Sequence, residues 1–510
     1  MKIDFDKNYK IILFLIILLG FGLRLININK DVLWQDEAET TINTIQVVED
    51  GYPHGYFEGK PIFETKAYIE IDDPVYQYTP TNYYGSKYEN NKGWLTYYFL
   101  APFIKIFGIS ETATRLPFFI FYIFTTISIY LTSQLLFKNK KISLLASLLF
   151  SIDYFAMIYG KQARYYSIFM FLPLASFYFN YLYIHSKKTI HLFWLTTFLI
   201  LTFHTHIVSF IFLILFYLYY DFIKIKKIKI NKAFILNALY LLIATVPWLF
   251  LVKFWVNFLT HSDISNPNDG VKILWIIGVV IFWLAIKFYK YLTKGKYNIE
   301  ITKIIPEPLI YFFWLYIIFL PIIIPSESFA IRIFIPLLPF FSIVFSRLVF
   351  KILKNKSNLK YLTTIVIFIL SYIFIFTMLR QYTHYGKTNW IKNVFEYAQS
   401  TNFDQKNDII LSTWQDLSLA FYSDYEIYRT ETLRADFVNN YPNRILFILP
   451  YKHLEELCPE ENKKFVRDHN FWMHSRDYSK FIPRLEKCSQ KTLGAEVLMF
   501  DCPALEKISN

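Results

Sequence analysis

This sequence is short of charge. Asp, Glu, Lys and Arg make up 18% of its 510 residues, against roughly 25% in an ordinary soluble protein. Hydrophobic residues reach 55% and aromatic ones 20%, gathered in long apolar blocks. That excludes a soluble globular chain and indicates a polytopic membrane protein. Cysteine is scarce too: Cys458, Cys488 and Cys502 all lie in the last stretch. They have no metal-ligand spacing, and no metal site is expected. If that stretch is extracytoplasmic, two of the three pair and one is left over, with the pairing open. A small-residue cleavage site is missing after the first apolar run, 11–28, which follows a basic opening. The run is therefore a retained span and not a removed signal peptide. No internal repeat is found, which counts against a transporter built from duplicated halves.

What charge there is has a pattern. The net +13 does not point to nucleic acid, because the lysines sit in short tracts between apolar runs, where they set membrane orientation. Tracts at 138–141, 185–188, 224–232, 287–303 and 351–360 join the basic N-terminus as cytoplasmic segments. One threading satisfies all of them, with about eleven crossings of roughly 20 residues. The expected spans are 11–28, 116–137, 142–160, 165–184, 191–205, 207–222, 233–252, 271–292, 309–325, 331–350 and 361–379. The N-terminus is then cytoplasmic and the C-terminal segment extracytoplasmic. The short apolar run 94–109 is read as a helix in the outer interface, with Trp94, Tyr97 and Tyr98 at headgroup level.

This threading leaves a long exterior loop, 29–93, rich in acids, tyrosines and prolines. It shows no clear secondary structure, and most of its acids are expected to be solvated. Loops of that length are more often functional or disordered than mere connections, and the aromatic and proline content favours a functional one. From 381 the composition becomes that of a soluble domain. Trp390, Val394, Tyr397 and Ala398 fall at helical spacing behind Thr388, a candidate N-cap. Segments 408–412 and 444–449 read as buried strands, 451–458 as a helix and 495–500 as a last strand. The expected division is a membrane domain over 1–380 and a small exterior α/β domain over 381–510. No nucleophile elbow, phosphate loop or metal motif appears in the latter, so a lid or acceptor-docking role is expected for it.

Several polar residues, most of them ionisable, fall together on the outer face in this threading. Asp36 and Glu37 follow span one, Lys92 precedes the interfacial helix and Arg115 opens span two. Lys161, Gln162 and Arg164 lie between spans three and four, His204 and His206 between five and six, and Arg332 opens span ten. Ionisable groups at membrane depth are costly and are functional candidates by default. Carboxylates beside several cations suit a phosphate-bearing lipid: the cations clamp phosphate, while a carboxylate takes a proton from an attacking hydroxyl. Plainer readings exist. Arg115 and Lys161 would reach for headgroups, the two histidines would be hydrogen-bonded loop residues, and Arg332 would be an interfacial anchor.

The order of these motifs resembles the dolichyl-phosphate-mannose protein mannosyltransferase superfamily, which shares the GT-C fold with the bacterial lipid A aminoarabinose transferases. Arg24-Leu25 followed by Leu33-Trp34-Gln35-Asp36-Glu37-Ala38 is similar to the family's first-loop Asp-Glu motif. Asn91-Lys92-Gly93-Trp94-Leu95-Thr96-Tyr97-Tyr98, running on to Arg115-Leu116-Pro117, resembles its Lys-Pro-Pro-Leu-Tyr-Tyr helix and Arg-Leu-Pro start to span two. Tyr159-Gly160-Lys161-Gln162-Ala163-Arg164-Tyr165-Tyr166 looks like a Ser-Arg-Glu-Ala-Arg-Met-Tyr segment. Arg332-Ile333-Phe334-Ile335-Pro336-Leu337-Leu338-Pro339 is similar to a late Arg-Tyr-Leu-Leu-Pro motif.

The resemblance implies an all-α polytopic fold and transfer of one sugar from a dolichyl- or undecaprenyl-phosphate donor to an acceptor hydroxyl on a protein, lipid or glycan. Asp36 matches the base and Glu37 its acidic neighbour. Lys92, Arg164 and Arg332 match phosphate ligands, with Arg115 and Lys161 as further cations. Gln162, Tyr165, His204 and His206 line up as substrate contacts. No cofactor is required, and a divalent ion on Asp36 or Glu37 stays an alternative. Two positions depart from the pattern. Gly93 replaces a proline, which would loosen the helix start. Gln162 replaces a common Glu, and Asp153 lies one or two turns deeper. The competing readings are a lipid or sugar flippase and a non-catalytic subunit of a glycan assembly complex.

Overall fold

The computed structural model describes residues 7–57, 60–61, 75, 88, 93–224, 230–254, 306–323, 331–354, 389–412, 416–430, 433–450, 481–493 and 497–505. Its contacts divide the chain into two compact units, 1–28 with 91–383 and 29–90 with 384–510. The acid-rich loop after the first span thus groups with the C-terminal segment.

The first unit is helical. Helix α1 (Tyr9–Leu25) is the first apolar run; α2 (Gln35–Asp50) belongs to the second unit. The first unit continues with α3 (Leu95–Phe107), α4 (Glu111–Arg115), a 3₁₀ turn (Leu116–Phe118) and α5 (Phe119–Phe137). Ser110 caps α4 by accepting a hydrogen bond from the Ala113 N–H at 3.1 Å. Next come α6 (Lys140–Ile152), α7 (Tyr154–Lys161), α8 (Tyr166–Ser186), α9 (Thr189–Phe203), α10 (Ile207–Tyr217) and α11 (Lys232–Leu251). The last described helices are α12 (Glu307–Ile323) and α13 (Leu338–Lys354).

Among the described residues four helices are long and apolar enough to cross a membrane, or five if α6 and α7 count as one span. The chain is a multi-pass membrane protein. The expected spans 271–292 and 361–379 lie outside the described residues. Two expectations change. Span 142–160 is not one rod: α6 and α7 meet at a 58° bend. Asp153 causes it, ending α6 in extended geometry and capping α7 by accepting the Ala156 N–H at 2.7 Å. Span 331–350 opens as a 3₁₀ stretch (Ile331–Leu337) before α13.

The unit's core is largely aromatic, with Phe177, Phe212, Phe216, Phe312, Tyr316 and Phe340 buried together. Phe312 and Phe340 have ring centroids 4.3 Å apart. Of the three α3 aromatics expected at headgroup level, the structure buries two. Tyr98 is exposed, but Trp94 and Tyr97 are buried. Trp94 packs edge-on to Trp248 of α11, so that end of α3 meets protein and not headgroups.

The second unit is an α/β domain. Its described helices are α2, α14 (Asn389–Ser400), α15 (Asp416–Phe421), α16 (Ala435–Asn439) and α17 (Ile482–Leu485). A small hairpin pairs β1 (Tyr56–Phe57) with β2 (Lys60–Pro61). The main sheet holds β3 (Ile409–Ser412), β4 (Glu426–Arg429), β5 (Ile445–Pro450), β6 (Ser489–Leu493) and β7 (Val497–Cys502) in the order β4-β3-β5-β7-β6. Strand β3 pairs parallel with β4 and β5, while β7 runs antiparallel to β5 and β6.

The sheet buries both faces. Ile410, Leu446 and Ile448 join one core with Trp390, Val394 and Ala398 of α14. Their neighbours Ile409, Leu411, Ile445 and Phe447 join the other with Val438 and Leu485. Period-2 alternation with apolar residues on both sides is what covered parallel strands require. The loop after the first span contributes to both: Val32 lies in the first core and Val75 packs on the second. Cys488 and Cys502 form a disulfide, and Cys458 lies outside the described residues. So does the expected helix 451–458.

Candidate active site

Asp36 and Glu37 do not sit in irregular loop. They form the first turn of α2, where the positive end of the helix dipole favours carboxylates. The helix stops at Gly51, whose φ of +84° lets its N–H return to the Val47 carbonyl. Periodicity gave no sign of this helix because it is polar nearly all round and still buried, from Gln35 through Val47 with few breaks. Its terminal signals, acids in the first turn and a glycine stop, could have found it. The expectation of solvated acids fails here: Glu37 is 0%, Glu39 2% and Asp31 7% exposed, and Asp36 is half-buried.

Polar side chains inside α2 bond along their own helix. Thr40, Thr41 and Asn43 donate to the carbonyls of Asp36, Glu37 and Glu39. Gln46 braces the far end, donating to the Tyr56 carbonyl and accepting from the His54 N–H. At the near end, Gln35 donates to Asp416 Oδ1 at 2.8 Å and accepts from the Leu417 N–H at 3.2 Å. The Leu33 N–H donates to Tyr422 Oη at 2.8 Å.

In the first unit the cations divide by duty. Arg115 donates to the Ile28 carbonyl at 2.7 Å and Lys161 to the Ile26 carbonyl at 2.6 Å. These carbonyls follow the end of α1, where backbone acceptors lack helical donors and a cation meets the negative dipole end. Arg24, in the last turn of α1, is 0% exposed. It donates to the Gly20 and Ser151 carbonyls and lies 3.8 Å over the Tyr122 ring. Nothing in the first motif sets Arg24 apart from an ordinary charge at a span end. Its full burial could not be read from its place near a span end.

The third motif forms a tight turn after α7. The Arg164 N–H bonds the Gln162 carbonyl at 2.7 Å. Both side chains are buried, at 4% and 2% exposure, and Gln162 Oε1 accepts no hydrogen bond in the structure. The half-buried Tyr165 lies 5.6 Å, ring to ring, from His206. His206 caps α10, accepting the Ser209 N–H at Nδ1, and packs on Phe169. His204 donates through Nε2 to the Ala244 carbonyl at 2.9 Å. Both histidines therefore carry structural hydrogen bonds.

The second motif meets the same turn. Leu95 donates its N–H to the His204 carbonyl at 2.8 Å. A Cβ added to Gly93 would stand 2.2 Å from the His204 carbonyl carbon and oxygen. Gly93 thus does not loosen the helix start, as the missing proline led us to expect. Having no side chain, it lets two backbones touch. Lys92 lies outside the described residues. The 3₁₀ stretch containing Arg332 packs on α7 and α8, bringing the fourth motif's backbone to the elements that flank Gln162 and Arg164. Among the described residues, no group of three or more His, Cys, Asp or Glu side chains could hold a metal ion.

The dolichyl-phosphate-mannose-protein mannosyltransferase family model matches residues 91–250. No curated protein sequence matches the chain. The ArnT of Cupriavidus metallidurans bound to undecaprenyl phosphate superposes with a TM-score of 0.53 at 10% identity, covering 96% of this chain and 97% of that one. Its apo state gives 0.52 at 11% identity over the same shares. An Archaeoglobus fulgidus oligosaccharyltransferase gives 0.48 at 11%, covering 87% of this chain and 68% of the other. The fold along nearly the whole chain is therefore the GT-C architecture of ArnT, and its 91–250 segment carries the mannosyltransferase family's sequence pattern.

Proposed function

We propose that this protein transfers a single sugar from a polyprenyl-phosphate monosaccharide to an acceptor hydroxyl at the outer membrane face, inverting the anomeric carbon. The observation that carries the reading is the end-to-end fold likeness to an ArnT captured with undecaprenyl phosphate. The family match over 91–250 supports it.

In this reading Asp36 takes the proton from the acceptor hydroxyl as its oxygen attacks the anomeric carbon. The bond from that carbon to the phosphate oxygen breaks, and polyprenyl phosphate leaves as a monoester. Arg164, Arg332 and Lys92 are assigned to the phosphate. Arg115 and Lys161, occupied at the end of α1, are assigned to holding that end in place. Glu37 is the supporting carboxylate. No cofactor is assigned. The N-terminus is placed in the cytoplasm by the basic tracts, and the Cys488–Cys502 disulfide supports an oxidising, exterior compartment for the second unit.

The test is Asp36→Asn in purified full-length protein, following release of polyprenyl phosphate from synthetic undecaprenyl-phosphate hexoses. Turnover should fall by about 10²-fold or more. Turnover near the wild-type rate would sink the base assignment. If the wild-type protein releases no polyprenyl phosphate with any acceptor, it is a flippase or an assembly subunit.

A further inference from the structure

The exterior domain does more than the lid or docking role expected of it. Gln35 precedes Asp36 and is 7% exposed. Its side-chain amide is used at both ends by one short helix: Nε2 donates to Asp416 Oδ1 and Oε1 accepts the Leu417 N–H. The first N–H groups of a helix lack internal partners, so Gln35 serves α15 as a capping side chain from a segment far away in sequence. Two residues before Gln35, the Leu33 N–H is held by Tyr422 Oη beyond the other end of α15. Between these ties lies an apolar seam of Leu33, Ala38, Ile42 and Leu417.

We propose that Gln35 is a positioning residue, fixing the rotation of α2 and through it the direction of Asp36, so that the C-terminal domain is the mount of the base. This rests on the reading of Asp36 as the base. The geometry explains the coupling. Successive residues of a helix are about 100° apart, so α2 cannot turn to re-aim Asp36 without pulling Gln35 from α15. Leu33 prevents the alternative, a slide of the helix along its axis. Gln35 touches neither reactant in this scheme. It acts on the aim of its neighbour, where small displacements of a catalytic group carry large rate costs.

The experiment uses full-length protein in detergent. Amide hydrogen exchange is read for peptides covering 36–47 and 416–422, beside turnover on the undecaprenyl-phosphate hexose accepted by the wild type. Gln35→Ala should speed exchange in both peptides and lower turnover roughly tenfold or more, with the donor KM within about twofold. Placed on Asp36→Asn, the same change should add no further loss, because its effect passes through Asp36. Arg434→Ala, which removes an exposed ion pair of the same domain, should leave turnover unchanged.

Gln35→Glu sets a carboxylate against Asp416 and should repeat the loss; adding Asp416→Asn restores a donor and should recover turnover. That pair decides the matter if Gln35→Ala does not fold. The mount is refuted if Gln35→Ala keeps full turnover while Asp36→Asn is inactive, if the two losses multiply, or if Asp416→Asn fails to rescue Gln35→Glu. If Asp36→Asn itself keeps turnover, the base assignment falls separately, and exchange in the two peptides still reports whether Gln35 holds the helix.

Discussion

Gly93 shows how a single residue can be misread when only its neighbours in sequence are considered. As a missing proline it looks like a weakness. In the fold it is where the start of α3 touches the turn after α9, within van der Waals distance of the His204 backbone. Gly93→Ala should therefore cost about 1–3 kcal/mol, the range for overfilling a packed site. Thermal unfolding of the detergent-solubilised protein measures it, and an unchanged melting temperature would mean the two backbones are not in contact. The cations teach a similar lesson. Arg115 and Lys161 stand out in the sequence as charges at the ends of apolar runs, but their acceptors, the Ile28 and Ile26 carbonyls, lie more than eighty residues away. No local pattern announces such partners.

At the scale of elements, two helices departed from expectation for opposite reasons. The break between α6 and α7 was hidden because the apolar run continues through it, and one capping Asp outweighs that continuity. Asp153→Ala removes the bond to the Ala156 N–H and should destabilise the protein by about 1 kcal/mol, while Asp153→Asn, which still caps, should cost less. Chemical unfolding of the two variants side by side distinguishes them. Helix α2 was hidden because its pattern is polar. Apart from the short seam of Ala38 and Ile42, its buried surface is polar and bonds along its own length and to the residues around it, and hydrophobic periodicity is blind to that. Strands β3, β5 and β7 were legible in outline as apolar runs with turn signals. Strand β4 (Glu-Ile-Tyr-Arg) and strand β6 (Ser-Gln-Lys-Thr-Leu) are too polar to stand out, and each lies at an edge of the sheet.

For the molecule as a whole, the second unit gathers segments from both ends of the chain, and a half-buried polar tie fastens its sheet. Arg444, just before β5, donates to both carboxylate oxygens of Asp501 in β7, and Tyr397 of α14 donates to the same carboxylate. Burial pushes Asp501 up, but the hydrogen bonds from Arg444 and Tyr397 and the guanidinium charge outweigh it and hold the group below its ordinary value of 3.8. A depressed folded value means the unfolded chain binds the proton more readily. The tie's contribution is thus complete above the unfolded value and drains away as pH falls from about 4 through the folded one. Asp501→Asn should flatten the acid side of the domain's stability curve, measured as melting temperature between pH 3 and 6, and leave less to lose there than in the wild type. A wild-type slope retained in the variant would count against this tie.

The sequence by itself determined the membrane class, the order of the four motifs and the presence of a small α/β domain. Each of these follows from composition or from residues close together in the chain. Only the tertiary structure decided that the loop after the first span belongs with the C-terminal unit, that Asp36 and Glu37 open a helix, and that Gln35 ties this helix to residues 416 and 417. The physical reason is range. Apolar runs, caps and lysine tracts act over one or two helical turns, whereas a hydrogen bond between residues 35 and 416 leaves no periodic trace in either segment.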